Sequence, residues 1–373
     1  MISWRWSIPA SRPRGGASGR RAVVGPLAWH ARVMCAGAMS DLLVGHPVLE
    51  LLARRAERPG RAGAATDGAR LALAIEGGGM RGVVSAGMTA AIELLGLTAC
   101  FDLVVGTSAG ALNGAGLLAG VADACCSAYH AVFSTRRFIN PYRLLIGRAA
   151  VDVEFTLDHA DEALDAARHE RTAASTIPLS CVAVDVDQAA GTLLSGLDCV
   201  DDLRAALLAS SRMPWVGGHP APFRGRRFLD GGLAESIPYR TAVALGATHV
   251  LVLQTRPHGV SVEPVASFAE RIITRRLRAL NPGLLDLYHR RSADYDDAVA
   301  ELAAATDAPK PDGPFLYGLR LPVGSPVVGR LEQCAGALEA AGRAAREHAG
   351  RVLGAAGAID RSHASYRLAR TPC

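Results

Sequence analysis

The sequence predicts an α/β fold built on a mainly parallel sheet, followed by a mostly helical C-terminal extension. Three observations carry that expectation. Two short apolar runs, Leu71 to Glu76 and Phe101 to Val105, each end in a glycine turn and lead straight into a stretch of helical composition. Units of strand, turn and helix repeated in this way pack helices onto the faces of a parallel sheet. The chain has 373 residues, half hydrophobic and a fifth charged. That is enough for one large core with appendages, and ordinary enough to exclude wholesale disorder or a fibrous repeat. The longest weakly charged stretch, Leu103 to Ala122, is rich in Gly, Ala and Ser and holds Asn113. It suits a buried strand, turn and helix rather than a membrane span.

Residues 1–45 are rich in Arg, Gly, Ser and Pro without apolar periodicity, and read as a disordered basic extension. Their longest apolar stretch, Ala22 to Trp29, is interrupted by Gly25 and Pro26, which argues against a secretory signal. Residues 46–70 read as a short helix, Val48 to Arg55, and a linker. The domain proper spans 71–255. It opens with the strand Leu71 to Glu76, a glycine turn and a helix from Val83 to Leu95. The strand Phe101 to Val105 follows, then the turn Gly106 to Gly110 and a small-residue helix from Ala111 to about Leu118. Leu179 to Asp187 and Gly191 to Ser195 suggest a strand pair, and Val200 to Ala209 a helix. Arg227 to Leu229 is a short strand ending at Asp230-Gly231-Gly232. Pro238 to Leu245 is a helix opened by proline, and His249 to Gln254 an apolar strand. After Thr255 the composition changes, placing a boundary near 256. Residues 256–373 read as helical over Ser267 to Ala305 and Arg330 to Leu353, with a strand at Phe315 to Arg320.

The net charge of +5 is concentrated rather than spread. Residues 1–40 hold six arginines and no acid, Lys310 is the only lysine, and the rest of the chain is close to neutral. A basic cluster at Arg271, Arg275, Arg276 and Arg278 shares a predicted helix with Ile272, Ile273 and Leu277. It fits a peripheral contact with an anionic membrane surface or an ordinary solvated face. Without interleaved aromatics, it gives no support to nucleic-acid binding. The eight cysteines form neither a CxxC pair nor a Cys/His cluster at zinc spacing, so mostly buried thiols in a reducing, cytoplasmic setting are expected, with no metal.

Chemistry is concentrated in the turns. Gly106-Thr107-Ser108-Ala109-Gly110 joins a strand to a helix, the context of a GxSxG nucleophile elbow, with the following helix directing its N-terminus at the site. Packing between strand and helix is the simpler alternative. Gly77-Gly78-Gly79-Met80-Arg81-Gly82 fits GxGxxG, but a dinucleotide site needs an acid at the end of the next strand. The acid on that strand, Asp102, stands at its beginning. The other role for this turn is a row of N–H groups beside Ser108. For a Ser-His-Asp triad, His249, His258 and His289 follow in the chain, none in a persuasive setting. Asp230, at a strand end before two glycines, resembles a placed functional acid, although Asp-Gly turns are common.

Together these three motifs, in this order, resemble the patatin-like phospholipase family over about Leu71 to Thr255. The likeness includes Ser210-Ser211-Arg212-Met213-Pro214 before the acid motif and Ile237-Pro238 after it, with Glu235-Ser236 where an asparagine is often seen. Arg137 to Pro141 and the region after 256 look similar to bacterial members. The resemblance implies a three-layer α/β/α fold and hydrolysis of acyl esters in lipids by a Ser-Asp dyad without catalytic histidine or cofactor. Carried over by position, Ser108 is the nucleophile, Asp230 the proton acceptor, and Gly77, Gly78 and Gly79 the oxyanion hole. Met80, Arg81, Gly82, Gly106, Thr107, Ala109, Gly110, Gly231 and Gly232 support them. Arg81 is open to two readings, a lipid anion or a buried pair with Glu76 or Asp102. Met80, Met88 and Met213 are open to acyl-pocket or core roles. A non-catalytic lipid-binding protein on the same fold is the alternative from another class.

Overall fold

A strand covered on both faces needs apolar residues at every position, whereas an edge strand alternates. The computed structural model of the protein describes residues 45–57, 67–158, 162–214, 216–261 and 267–356. The proposed basic extension, apart from Gly45, and most of the linker lie outside these. In chain order the elements are α1 (Pro47–Ala56), β1 (Leu71–Ile75), α2 (Val83–Leu94), β2 (Leu103–Thr107), α3 (Ala109–Leu118), α4 (Ala122–Ala131), α5 (Val153–Asp158), α6 (Glu162–Ala173), β3 (Leu179–Asp185), β4 (Ala190–Leu194), α7 (Val200–Ser211), β5 (Ala221–Phe223), β6 (Arg226–Asp230), α8 (Tyr239–Ala244), β7 (His249–Leu253), α9 (Ser267–Leu280), α10 (Leu284–Asp307), β8 (Phe315–Leu319) and α11 (Ala335–Ala356). Every residue of β1, β2 and β3 is buried, while on β4 only Leu194 is.

The sheet runs β5-β6-β3-β2-β1-β7-β8, with β4 also on β3. From β3 to β8 the pairings are parallel, and β4, β5 and β6 add antiparallel pairings. Helices cover both faces. Leu71, Leu73 and Ile75 point into a core shared with α1, α2, α3, α4 and α11. Ala72, Ala74 and Val105 point the other way, against Tyr239 and Ala242 of α8 and Ala298 and Leu302 of α10. Val184 and Leu229 continue that second layer under Ile273 and Leu277 of α9. The fold is therefore the three-layer α/β/α arrangement. The segment after 256 contributes directly to it, because β8 extends the sheet beside β7 and α11 packs on α2.

One consequence of register matters for the site. A strand has two edges. On β3, Cys181 and Val182 pair with β2 on one edge and β4 on the other, and Ala183 to Asp185 pair with both β4 and β6. So β6 occupies the edge that β2 has vacated. Thr107 stands opposite Val182 and Asp230 opposite Ala183, which brings the end of β2 against the end of β6.

Candidate active site

Ser108 follows β2 and caps the N-terminus of α3, with φ 54° and ψ −124°. An L-residue seldom adopts this conformation, and the strain is sustained only because the strand and helix determine it. Its N–H donates to Ser210 Oγ at 2.8 Å, and that hydroxyl donates to Val182 O at 2.6 Å. Ser210, at the end of α7, thus ties the elbow to β3. The Ser108 hydroxyl donates to Asp230 Oδ2 at 2.7 Å. The other oxygen, Oδ1, accepts the N–H of Gly232 at 2.7 Å. Asp230 is 7% exposed and Ser108 6%. Burial raises the carboxyl pKa above the ordinary range, opposed by the Ser108 hydroxyl, the Gly232 N–H and the positive charge of Arg330. The net effect is a stronger base than an exposed aspartate, held against the serine oxygen.

The glycine turn after β1 lies beside the elbow. A Cβ on Gly77 would stand 2.5 Å from Thr107 O and 3.1 Å from Ser108 Cβ, so only glycine allows this approach. Gly79 has φ +58°, and a Cβ there would meet Arg330 O at 2.6 Å. The Gly77 N–H donates to Ser236 O at 3.1 Å. The N–H groups of Gly78 and Gly79 have no hydrogen-bond partner among the described residues, and both glycines line the cavity with Ser108 and Asp230. Glu235 and Ser236 stitch the turns together. Glu235 O accepts the Thr107 hydroxyl at 2.9 Å, and its carboxylate caps α8 through the N–H groups of Arg240 and Thr241.

The cavity holds about 260 Å³. Met213, Pro214, Val216, Leu233, Ile273 and Leu331 supply its apolar lining. Met213 therefore reaches the site, while Met80 and Met88 are core residues at 1% and 0% exposure. Gly82, Gly106, Ala109, Gly110 and Gly231 do not line the cavity; they pack the turns around it. Arg81 is buried, with Nε donating to Thr255 Oγ1 at 2.9 Å and Nη2 3.6 Å from Glu76 Oε1. Desolvation lowers it to about 10, still a cation at neutral pH. Of its two readings, the buried pair with Glu76 is the one present. Asp102 is engaged elsewhere, by Arg55 Nη1 and the Leu71 N–H, both at 2.7 Å.

No histidine lines this cavity among the described residues. His249 begins β7, bonded to Thr248 and packed on Phe315, at the end of the sheet away from Ser108. His289 faces a neighbouring cavity. Sequence reasoning placed Arg330 and Leu331 inside a helix from Arg330 onward. The helix instead starts at Ala335, and both residues form cavity wall. Pro326 and the glycine at 329 were the available warning.

The α/β fold thus brings together a serine on a strained strand-to-helix turn, a buried carboxylate on its oxygen and a glycine turn beside both, an arrangement chemically able to serve as a serine nucleophile site. Residues 73–243 match the family model for patatin-like phospholipase. Over 200 residues it is 28% identical to the uncharacterized protein YjjU of Escherichia coli (strain K12), covering 52% of this chain and 54% of that protein. The chain thus spans about half the length of this curated relative. The crystal structure of VipD from Legionella pneumophila aligns over 77% of this chain and 67% of that one, at 12% identity and a TM-score of 0.36.

Proposed function

We propose that the protein is a serine lipid acyl hydrolase working through a Ser108–Asp230 dyad. The observation that carries this reading is the 2.7 Å bond from the Ser108 hydroxyl to the buried carboxylate of Asp230, on the wall of an apolar cavity. Asp230 takes the hydroxyl proton as Ser108 Oγ bonds to the ester carbonyl carbon. The carbonyl electrons move to the oxygen, where the N–H groups of Gly78 and Gly79 stabilise the charge. Gly77, whose N–H is engaged by Ser236, holds the turn. The tetrahedral carbon then expels the alcohol, which takes the proton from Asp230 and leaves an acyl-enzyme on Ser108. Asp230 next deprotonates a water that attacks the acyl carbon, releasing the fatty acid and returning the proton to Ser108.

The substrate is met at a surface. No described helix is long and apolar enough to cross a membrane. The turn Pro141–Ile146 exposes Tyr142 (63%), Leu145 (83%) and Ile146 (71%) beside Arg143 and Arg148, and Arg276 of α9 lines the same groove. Apolar tips among arginines suit peripheral contact with an anionic lipid surface. Hydrolysis of an acyl-ester panel by wild type and by Ser108→Ala tests the reading. Turnover of lipid esters with an acyl-enzyme burst, absent in the variant, is expected. Equal turnover by both proteins would refute it.

A further inference from the structure

A second cavity, of about 740 Å³, lies beside the one that holds Ser108. Gly232, Ser236, Arg291 and Arg330 line both, so the two spaces adjoin across shared residues. Four arginines, Arg81, Arg256, Arg291 and Arg330, face this space, and the acids facing it are Glu270 and Asp296. Arg81 is matched by Glu76 behind the wall. Among the described residues the other three form no ion pair. Arg256 is the most telling. It is 5% exposed, sits with Cζ 4.2 Å from the centre of the Tyr295 ring, and its Nη1 is buried without a hydrogen bond. A buried guanidinium nitrogen left unmatched is costly unless an anion completes it. Arg291 stacks on Tyr288 at 3.5 Å, which orients its guanidinium. Arg330 is tied to the glycine turn through its main chain, its carbonyl accepting the Met80 N–H at 3.0 Å.

We propose that Arg256, Arg291 and Arg330 form a subsite for a phosphate group carried by the ester substrate. Guanidinium groups match phosphate oxygens with paired N–H donors, and a tetrahedral phosphate offers enough acceptors for three of them. Because the subsite adjoins Ser108, it selects phosphate-bearing acyl esters over neutral ones of the same chain length. The selectivity rests on the hydrolase reading above; the anion site does not.

The test compares 1-oleoyl lysophosphatidate with 1-oleoylglycerol, which differ by the phosphate. Wild type is expected to favour the first by about tenfold or more in kcat/KM. Arg256→Gln should remove most of that preference through KM, and Arg256→Lys should restore part of it. Equal losses on both substrates would overturn the proposal. Inorganic phosphate should compete with lysophosphatidate. If it instead alters 1-oleoylglycerol hydrolysis and no preference exists, the site takes free phosphate and the headgroup assignment falls. Glycerol 3-phosphate should raise the Tm of the Ser108→Ala protein by about 2 °C and leave Arg256→Gln unmoved. That shift without hydrolysis of any ester would sink the hydrolase reading and keep the subsite. Hydrolysis with neither shift nor preference would sink the subsite alone. Arg291→Gln, whose charge the Asp230 carboxylate does not feel, replaces Arg256→Gln if the latter does not fold.

Discussion

The catalytic cavity has two unlike walls. One is made of main-chain turns at the ends of β1, β2 and β6: Gly77 to Gly79, Thr107-Ser108, and Asp230 with Gly232. The other is made of side chains delivered from a distance: Ile273 on α9, Tyr288 and Arg291 on α10, and Arg330 and Leu331 on the segment before α11. The first wall is positioned by sheet register. Once Thr107 pairs with Val182 and Asp230 with Ala183, serine and acid must meet, whatever fills the rest of the pocket. The second depends on how helices pack, so it can change without disturbing the dyad. In the proposed mechanism, chemistry belongs to the first wall and selection to the second.

The largest expected effects break the first wall. Ser108→Ala and Asp230→Asn should each lower kcat by about 10⁴-fold on any ester, measured with a soluble short-chain ester to keep binding simple. Gly79→Ala places a Cβ against Arg330 O in a left-handed conformation. It should cost about 10²- to 10³-fold in kcat by displacing an oxyanion donor, with the residual rate read by single turnover. A smaller effect sharpens the contrast. Leu331→Ala and Ile273→Ala in the second wall should raise KM for long acyl esters by about tenfold, the scale of a lost apolar contact, and alter short-chain esters far less. Comparable losses of kcat on both lengths would mean that the walls are not separable.

The acid itself gives a fourth prediction. Burial holds the Asp230 pKa above its ordinary value, so the folded protein binds a proton that the unfolded chain has already lost. Between the ordinary carboxylate value, about 4, and the raised one, stability falls as pH rises, and it stays lower above that window. Activity rises across the same window, because the base must be ionised. Asparagine carries no such cost. The Tm of Asp230→Asn relative to wild type should therefore increase from pH 4 to pH 8, by a few degrees, in thermal melts at both pH values. A pH-independent difference would place the carboxylate in an unperturbed setting. The smallest effect is expected at His249, whose change to Ala should leave ester hydrolysis within about twofold, since its ring packs on Phe315 at the far end of the sheet.

The division between the walls also explains what could be read in the sequence. The turns are short, contiguous and chemically marked, so the convergence of the turns carrying Ser108, Asp230 and the three glycines was legible, as were all the parallel strands. The way the β2 and β6 ends meet was not, because it follows from β3 having to share one edge between two strands. Ser210, on the family-like stretch at the end of α7, was visible only as part of a motif; its bonds to Ser108 N–H and Val182 O depend on tertiary placement. Arg330 and Leu331 read as helical because alanine-rich sequence follows them, yet their place is set by the glycine turn, whose Met80 N–H donates to Arg330 O. The narrowing of the donors to Gly78 and Gly79 turns on one bond, Gly77 N–H to Ser236 O, which no spacing rule encodes.

The central claim is that Asp230 activates Ser108, and covalent capture tests it most directly. Wild type treated with a fluorophosphonate probe, digested and read by mass spectrometry, should carry the label on the peptide containing Ser108. Asp230→Asn, shown by its melting curve to be folded, should label at least about 10²-fold more slowly, and Ser108→Ala not at all. Labelling of Ser108 at an undiminished rate in Asp230→Asn, or labelling confined to another residue, would contradict the account.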